Sequence, residues 1–277
     1  MKVIRLLICL HIVFFVFSCK STVKEQKDKV YSRHLQRYVD LTIVTTAMPD
    51  KKQEMNLLLF NDSKWLEKTR AKQIIDSLHK KNKIQPVLLV AISGQQGDYG
   101  LEESDNKEAK NYKKYNDFVI NELYPFVKKK TVIRKFNTVA ICGFGASGLN
   151  SFDIAWNNDN YFDAVGVFSG SFWWRKKDLK AGYTDDDRLL HEMIRETKTN
   201  PALKFWLMTG TNDELADRNH NFIIDSIDDT IDVVKELMKK GYQRPHDIFY
   251  YEMVGGKHDV STWGKAMPAF LTWAFGK

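Results

Sequence analysis

An aspartate, a histidine and a glycine-rich turn are the residues of this chain whose types and order could cleave an ester. Residues 141–150 read Ile-Cys-Gly-Phe-Gly-Ala-Ser-Gly-Leu-Asn. A G-x-S-x-G turn between a strand and a helix holds a serine hydroxyl in position to attack a carbonyl, and its flanking glycines are needed because Cβ atoms there would clash. Here the strand (Thr138 to Cys142), the first glycine (Gly143) and the helix start are in place, but the nucleophile position is occupied by Gly145. In such sites the acid and then the base follow the nucleophile along the chain. Asp213, in Thr209-Gly210-Thr211-Asn212-Asp213-Glu214, follows an apolar strand and a glycine turn, where the acid that orients an imidazole belongs. His258, in Gly255-Gly256-Lys257-His258, falls between the last strand and the last helix, where the base belongs. Taken singly, the histidine reads as polar surface and the aspartate as a turn or cap residue. Their shared order and context make them an acid and base pair whose partner nucleophile has been replaced.

Glycine has no side chain with which to attack. A water held by His258 is a weak substitute, because the covalent route divides one difficult step into two. Loss of the nucleophile typically leaves ~10³ to 10⁴ of acceleration over water, from the oxyanion hole and binding alone. Ser147 is the nearby alternative, but two residues along a helix its Cβ points roughly 200° around the axis from position 145. The competing reading of Ser147 is a helix N-terminal serine that satisfies a backbone amide. Oxyanion stabilisation would come from backbone N–H groups, one on Ala146 and one on the loop of Asp62, Ser63 and Lys64. Backbone donors survive side-chain substitution, so a site able to bind a carbonyl, carboxylate or sugar can persist without turnover. Trp173 and Trp174 read either as an aromatic wall for a sugar or phenolic ring or as ordinary core.

The elements that must position these groups alternate. Strand-length apolar runs are expected at Leu41 to Thr46, Asn56 to Asn61, Val87 to Ile92, Thr138 to Cys142, Ala164 to Phe168, Leu203 to Thr209 and Asp247 to Glu252. Between them, amphipathic stretches predict helices at Lys64 to Lys80, Tyr112 to Lys129, Ala146 to Trp156, Asp186 to Thr197, Asp225 to Lys240 and Val260 to Phe275. This alternation predicts an α/β fold, a mostly parallel sheet with helices on both faces. In such sheets chemistry gathers at the carboxyl ends of the strands.

The 277 residues, 43% of them hydrophobic, suffice for one sizeable domain, expected over residues 37–277. Residues 1–18 carry Lys2 and Arg5 and then an apolar run from Leu6 to Phe17, too short for a membrane span of ~20 residues. Ser18 followed by Cys19 resembles the processing site of a bacterial lipoprotein signal peptide, which implies a lipid on Cys19 and attachment to the bacterial cell envelope at the outer membrane or periplasmic face. Residues 19–36 then read as the lipidated cysteine and a polar tether. Cys9 falls in the leader and Cys142 in an apolar strand, so no disulfide framework is expected. Without Lys2 and Arg5 the net charge drops from +7 to +5, and the remaining lysines cluster at helix ends. That pattern is a solvated surface and not a nucleic-acid footprint.

Taken together, several segments resemble the putative esterase family of α/β-hydrolases, which includes enterochelin esterases, feruloyl and acetylxylan esterases and S-formylglutathione hydrolases. They are Leu57 to Asp62, Tyr115 to Leu123, the elbow Ala140 to Leu149, Val167 to Trp174 and Gly255 to His258. The resemblance runs from about Arg37 to Gly276. It places Gly145 on the family's serine and Ser147 on a helix-start glycine, and it implies an α/β-hydrolase fold, no required cofactor and a small-molecule ester or carbohydrate ligand. Two functions follow as expectations. One is a catalytically impaired, ligand-binding lipoprotein for a carbohydrate or siderophore-like ester; the other is an active carboxylic-ester hydrolase using Ser147 with His258 and Asp213.

A second pattern lies further on. Asp217, Asn219, Asn221, Ile223, Asp225 and Asp228 fall at the 1, 3, 5, 7, 9 and 12 positions of a structural calcium loop, Ile223 through its backbone carbonyl. Phe222 stands where the sharp turn usually takes glycine, and Asp228 where glutamate gives bidentate coordination. The competing reading is a surface turn in which Asp225 caps the following helix and Asp228 and Asp229 complement its dipole.

Overall fold

The computed structural model describes residues 23–46, 55–95, 97–99, 111–131, 133 and 135–277. Cys19 and the leader lie outside the described residues.

Strand residues alternate between two cores. Leu57, Leu59, Leu88, Val90, Ile141, Val165, Phe205 and Leu207 enter one cluster, while Leu58, Phe60, Leu89, Ala140, Cys142, Ala164, Trp206 and Met208 enter the other. Both faces of the sheet are therefore buried, which is why the strands read as continuous apolar runs. Eight strands form one sheet in the order β1-β2-β4-β3-β5-β6-β7-β8. They are β1 (Lys24–Ser32), β2 (Arg37–Thr45), β3 (Asn56–Asn61), β4 (Val87–Ile92), β5 (Val139–Phe144), β6 (Ala164–Phe168), β7 (Lys204–Gly210) and β8 (Ile248–Met253). β1 pairs antiparallel with β2 and β2 with β4, and every pairing from β4 through β8 is parallel.

Helices cover both faces, as expected for this α/β class. α1 (Ala71–Lys80) packs against α7 (Val260–Phe275). The remaining helices are α2 (Tyr112–Phe118), α3 (Tyr124–Thr131), α4 (Ala146–Trp156), α5 (Leu189–Glu196) and α6 (Asp225–Lys239). Among the described residues no helix is long and apolar enough to cross a membrane.

Three expectations need correction. Lys24 to Ser32, read as tether, is a strand paired residue by residue with β2. Its alternation of charged and partly buried residues is that of an edge strand, in which lysines blunt the open edge. The helix expected to begin at Lys64 is instead a 3-10 turn, Ser63–Trp65, followed by a break at Arg70 with φ 57° and then α1. The helix expected over 112–129 contains a π turn at Val119–Leu123, immediately before Pro125, which has no N–H to continue the ladder.

Candidate functional site

β5 runs two residues past its expected end, to Phe144, and delivers the chain directly to Gly145. Gly145 has φ 56° and ψ −121°, a backbone that L-residues rarely adopt, and it precedes α4 at once. Gly143 permits the sharp reversal, since a Cβ there would stand 2.2 Å from the Ser147 carbonyl oxygen. The strained strand–turn–helix is thus complete at the level of the backbone. Its carbonyl is fully engaged: Gly145 O accepts from the N–H groups of Gly148, Leu149 and Ser171 at 3.0, 3.1 and 3.2 Å.

His258 faces this turn. A Cβ built on Gly145 would lie 3.2 Å from His258 Nε2 and 3.6 Å from its Cε1. The imidazole sits on the exposed loop between β8 and α7, edge-on to Trp263 with ring centroids 5.3 Å apart. Trp263 is itself held by a hydrogen bond from Nε1 to Ser169 Oγ at 3.0 Å and by an edge contact with Trp65. Asp259, the next residue, caps α7 by accepting from the Thr262 N–H at 2.8 Å, which fixes the chain beside the histidine.

Asp213 stands on the loop after β7. Its Oδ2 accepts from Thr209 Oγ1 at 3.1 Å, while Oδ1 is buried and has no hydrogen-bond partner among the described residues. A buried carboxylate oxygen without a partner is costly, and no hydrogen bond or ion pair joins Asp213 to His258 in the structure.

Ser147 is brought to the same turn but directed away from the histidine. Its hydroxyl donates to the Phe144 carbonyl at 3.0 Å and accepts from the Phe144 N–H at 2.9 Å, and the residue is 2% exposed. The expectation of Ser147 as a shifted nucleophile is therefore corrected: both its hydrogen-bonding roles are spent inside the elbow. Ala146, one residue earlier, is the first residue of α4, and its N–H has no carbonyl within the helix to bond.

The loop expected to supply a second oxyanion amide leaves β3 at Asn61. Asn61 is a buried clasp: Nδ2 donates to Ser147 O, Asn150 Oδ1 and Ser151 Oγ at 3.1 to 3.2 Å, and Oδ1 accepts from Tyr115 OH at 2.6 Å. Asp62 follows with φ 83°, its carboxylate on Lys64 Nζ at 2.6 Å and pushed upward in pKa by burial. Ser63 opens the 3-10 turn and is partly exposed.

Of the two tryptophans, Trp174 is 5% exposed and part of the core, which corrects its reading as a wall. Trp173 is 45% exposed, with the Arg175 guanidinium 5.9 Å from its ring centroid. Sequence reasoning missed Ser171, whose Oγ lies 3.8 Å from the Cβ position of Gly145. The segment Ser169-Gly170-Ser171 after β6 was its signal, a polar stretch at the carboxyl end of a central strand. A cavity of about 580 Å³, lined by Thr138, Asp163, Lys204, Tyr242 and Trp273, lies at the opposite, amino ends of the strands and holds none of these groups.

The loop before α6 does not assemble six calcium ligands. Asp217 accepts from the Asn221 and Phe222 N–H groups, Asn221 Oδ1 accepts from the Ile223 N–H, and Asp228 Oδ2 accepts from Asn219 and Asn221. Asp225 turns instead to Arg218, accepting its N–H at 2.9 Å and pairing with its guanidinium at 3.3 Å. Among the described residues no group of three or more His, Cys, Asp or Glu side chains could hold a metal.

The sequence matches the putative esterase family over residues 40–274. No curated protein matches the chain by sequence. Among solved structures, the enterobactin esterase from Shigella flexneri superposes with a TM-score of 0.67 at 17% identity, covering 91% of this chain and 59% of that one. This chain therefore spans less than two thirds of that protein. A ferulic acid esterase gives 0.66 at 15% identity over 91% and 97% of the two chains. A siderophore hydrolase from Aspergillus nidulans gives 0.65 at 14% identity over 90% and 93%. At these identities the likeness establishes a shared fold.

Proposed function

The chain belongs to the putative esterase family, and from that premise we propose that it binds an ester-type ligand and is catalytically impaired. The observation that carries this reading is the turn at Gly145, which keeps the elbow backbone with His258 Nε2 3.2 Å from a Cβ that is not there. The base stands ready, but the atom it would deprotonate is missing. The two hydroxyls nearby do not replace it in the elbow: Ser147 is bonded to Phe144, and Ser171 comes from a different loop. What remains is binding and the oxyanion amides, worth ~10³ to 10⁴ over water in triads that have lost their nucleophile.

The ligand class is a carbohydrate or siderophore-like ester. Fold neighbours named as enterobactin, ferulic acid and siderophore hydrolases support that class, as does the half-exposed face of Trp173 beside the loop that carries Ser171. The site is carried on a lipid anchor at Cys19 in the bacterial cell envelope, at the outer membrane or periplasmic face. Incorporation of a labelled fatty acid into the wild-type chain and its loss in Cys19→Ser test that part.

The deciding experiment is hydrolysis of a short-chain activated ester by the wild type, His258→Ala, Gly145→Ser and the double variant Gly145→Ser with His258→Ala. The expected result is background turnover in the wild type, a gain in Gly145→Ser and its loss in the double variant. Turnover by the wild type that His258→Ala abolishes would refute impairment.

A further inference from the structure

The loop that leaves β6 carries a guanidinium with no carboxylate to match it. Resting on the reading above, we propose that Arg175 recognises an anion on the ligand, so that the ester held at the elbow bears a carboxylate on a ring, at the end away from its ester bond.

The loop is pinned along its length. Lys176 N–H donates to Asp187 O and Leu189 N–H to Trp174 O, both at 2.9 Å, and Arg175 forms an isolated antiparallel bridge with Arg188. The turn leading into that partner strip carries three carboxylates, and each is engaged elsewhere. Asp185 accepts from Tyr183 OH at 2.8 Å and stands 3.5 Å from the Arg218 guanidinium, Asp186 is 3.5 Å from Arg195, and Asp187 is 3.0 Å from Lys177 Nζ. Neighbouring cations are matched in the same way, Lys176 by Glu192 and Arg188 by Asp229 and Asp232. Arg175 makes no ion pair and no side-chain hydrogen bond among the described residues, and its Nε is buried without a partner. A partly buried guanidinium without a counter-ion is costly, and an anion from outside the chain would offset that cost.

Two rings hold the guanidinium instead. Its central carbon lies 5.9 Å from the Trp173 ring centroid and 5.3 Å from that of Tyr183. Aromatic neighbours keep the planar fork in place without using up its N–H donors. Unlike Nε, the two Nη groups are not enclosed, so the outer edge of the fork is the part a ligand can meet. The same loop carries Ser171, whose Oγ is 3.8 Å from the Cβ position of Gly145, at the carboxyl end of the sheet. Along the chain it thus presents a hydroxyl beside the elbow, the 45% exposed ring of Trp173, and then the guanidinium. An arginine fork takes a carboxylate through two parallel N–H bonds, whereas an amide of the same shape offers one neutral oxygen and an N–H that arginine cannot accept. A guanidinium that only stapled Trp173 to Tyr183 would be indifferent to the charge of the ligand.

The test titrates the purified full-length chain, by calorimetry, with monomethyl terephthalate and with methyl 4-carbamoylbenzoate. These ring esters have the same shape and differ in bearing a carboxylate or an uncharged amide opposite the ester. The acid is expected to bind about tenfold to a hundredfold more tightly than the amide, the value of a hydrogen bond to a charged group. Arg175→Gln should erase that preference while leaving the affinity for the amide nearly unchanged, and Arg175→Lys should keep part of it, since the charge remains and the fork is lost. Equal affinity for the two probes, an acid that does not bind at millimolar concentration, or a preference that persists in Arg175→Gln would overturn the proposal. Should Arg175→Gln not fold, the wild type decides: an affinity for the acid that falls with added sodium chloride while that for the amide holds supports the site, and an affinity for the acid indifferent to salt refutes it. Release of methanol from either probe by the wild type would instead refute catalytic impairment, a separate outcome read from product formation that leaves the charge preference to be judged on its own.

Discussion

Two turns of this molecule each carry a familiar pattern with one residue out of place, and they fare differently. At the elbow, glycine stands where the sequence pattern leads one to expect serine, and the turn is formed all the same: Gly145 has φ 56°, Gly143 closely approaches Ser147, and His258 faces Gly145. In the loop before α6, phenylalanine replaces glycine. Phe222 adopts φ 67° all the same, 98% exposed, with its N–H on Asp217. There the backbone tolerates the change, but the side chains have found other partners. Arg218 pairs with Asp225, Asp229 and Asp185, and Arg188 shares Asp229 and adds Asp232. A pattern defined by main-chain conformation persists when a side chain is lost, whereas one defined by converging carboxylates yields to the nearest guanidinium.

The contrast is sharpest at position 145. If the elbow is intact, Gly145→Ser should raise ester turnover on the order of 10³-fold or more, since a nucleophile knockout in a complete triad typically costs at least that much. The new Cβ at 3.2 Å from Nε2 requires the imidazole to yield by a few tenths of an ångström. A gain below tenfold would mean that the backbone alone does not preserve the site.

On the side of the acidic loop, Asp229→Ala removes the carboxylate shared by Arg188 and Arg218, whose side chains are only 4% and 11% exposed. The expected loss is about 3 kcal/mol in urea unfolding, near the low end for a broken buried pair because Asp225 and Asp232 remain. A loss below 0.5 kcal/mol, to take roughly the scale of a surface substitution, would show that the network is not what organises this loop. Ser147→Ala tests whether that serine is structural. It strips the Phe144 N–H of its acceptor and should cost about 2 kcal/mol of stability, while leaving the activity gained by Gly145→Ser within a fewfold.

His191 gives the acidic cluster a pH signature. Its ring lies buried against the Asp229 carbonyl, with Nε2 at 3.0 Å, and burial pushes its pKa down from 6.5 to about 3. As pH falls below 6.5 the unfolded chain takes up a proton that the folded chain refuses until about 3. Stability from this residue should therefore be present above 6.5 and lost through that window, by about 1.4 kcal/mol per pH unit. His191→Leu should remove that part of the slope. The smallest effect is at Phe222→Gly, which relieves a left-handed phenylalanine at about 1 to 2 kcal/mol but adds glycine's own entropy cost of about 0.5 to 1. The net gain should lie between about 0 and 1.5 kcal/mol, and the melting temperature should not move with added calcium, because Asp225 stays with Arg218.

Much of the fold was legible. Strands β2 to β8 and helices α4, α6 and α7 lie close to where apolar runs and amphipathic stretches put them, since burial on both faces of a sheet leaves an unmistakable hydrophobic signal. β1 was not, because an edge strand such as Lys24–Ser32 carries the charged composition of a linker and gains its structure from pairing with β2. In the site, the candidacy of Gly145 and His258, which the structure places face to face, was legible, while Ser171 and the Asn61 clasp were not. Their roles depend on groups distant in the chain, Ser171 on Gly145 and His258, Asn61 on Tyr115 and Ser151.

The sequence by itself determined the family, the sheet and the absence of a side chain at the elbow, because these follow from residue type and local periodicity. Tertiary structure alone decided that Ser147 is bonded to its own turn, that Asp225 belongs to Arg218, and that Gly145 faces the imidazole of His258 and the hydroxyl of Ser171. A hydrogen bond is a matter of a few tenths of an ångström between atoms on different elements, and no spacing along the chain encodes that.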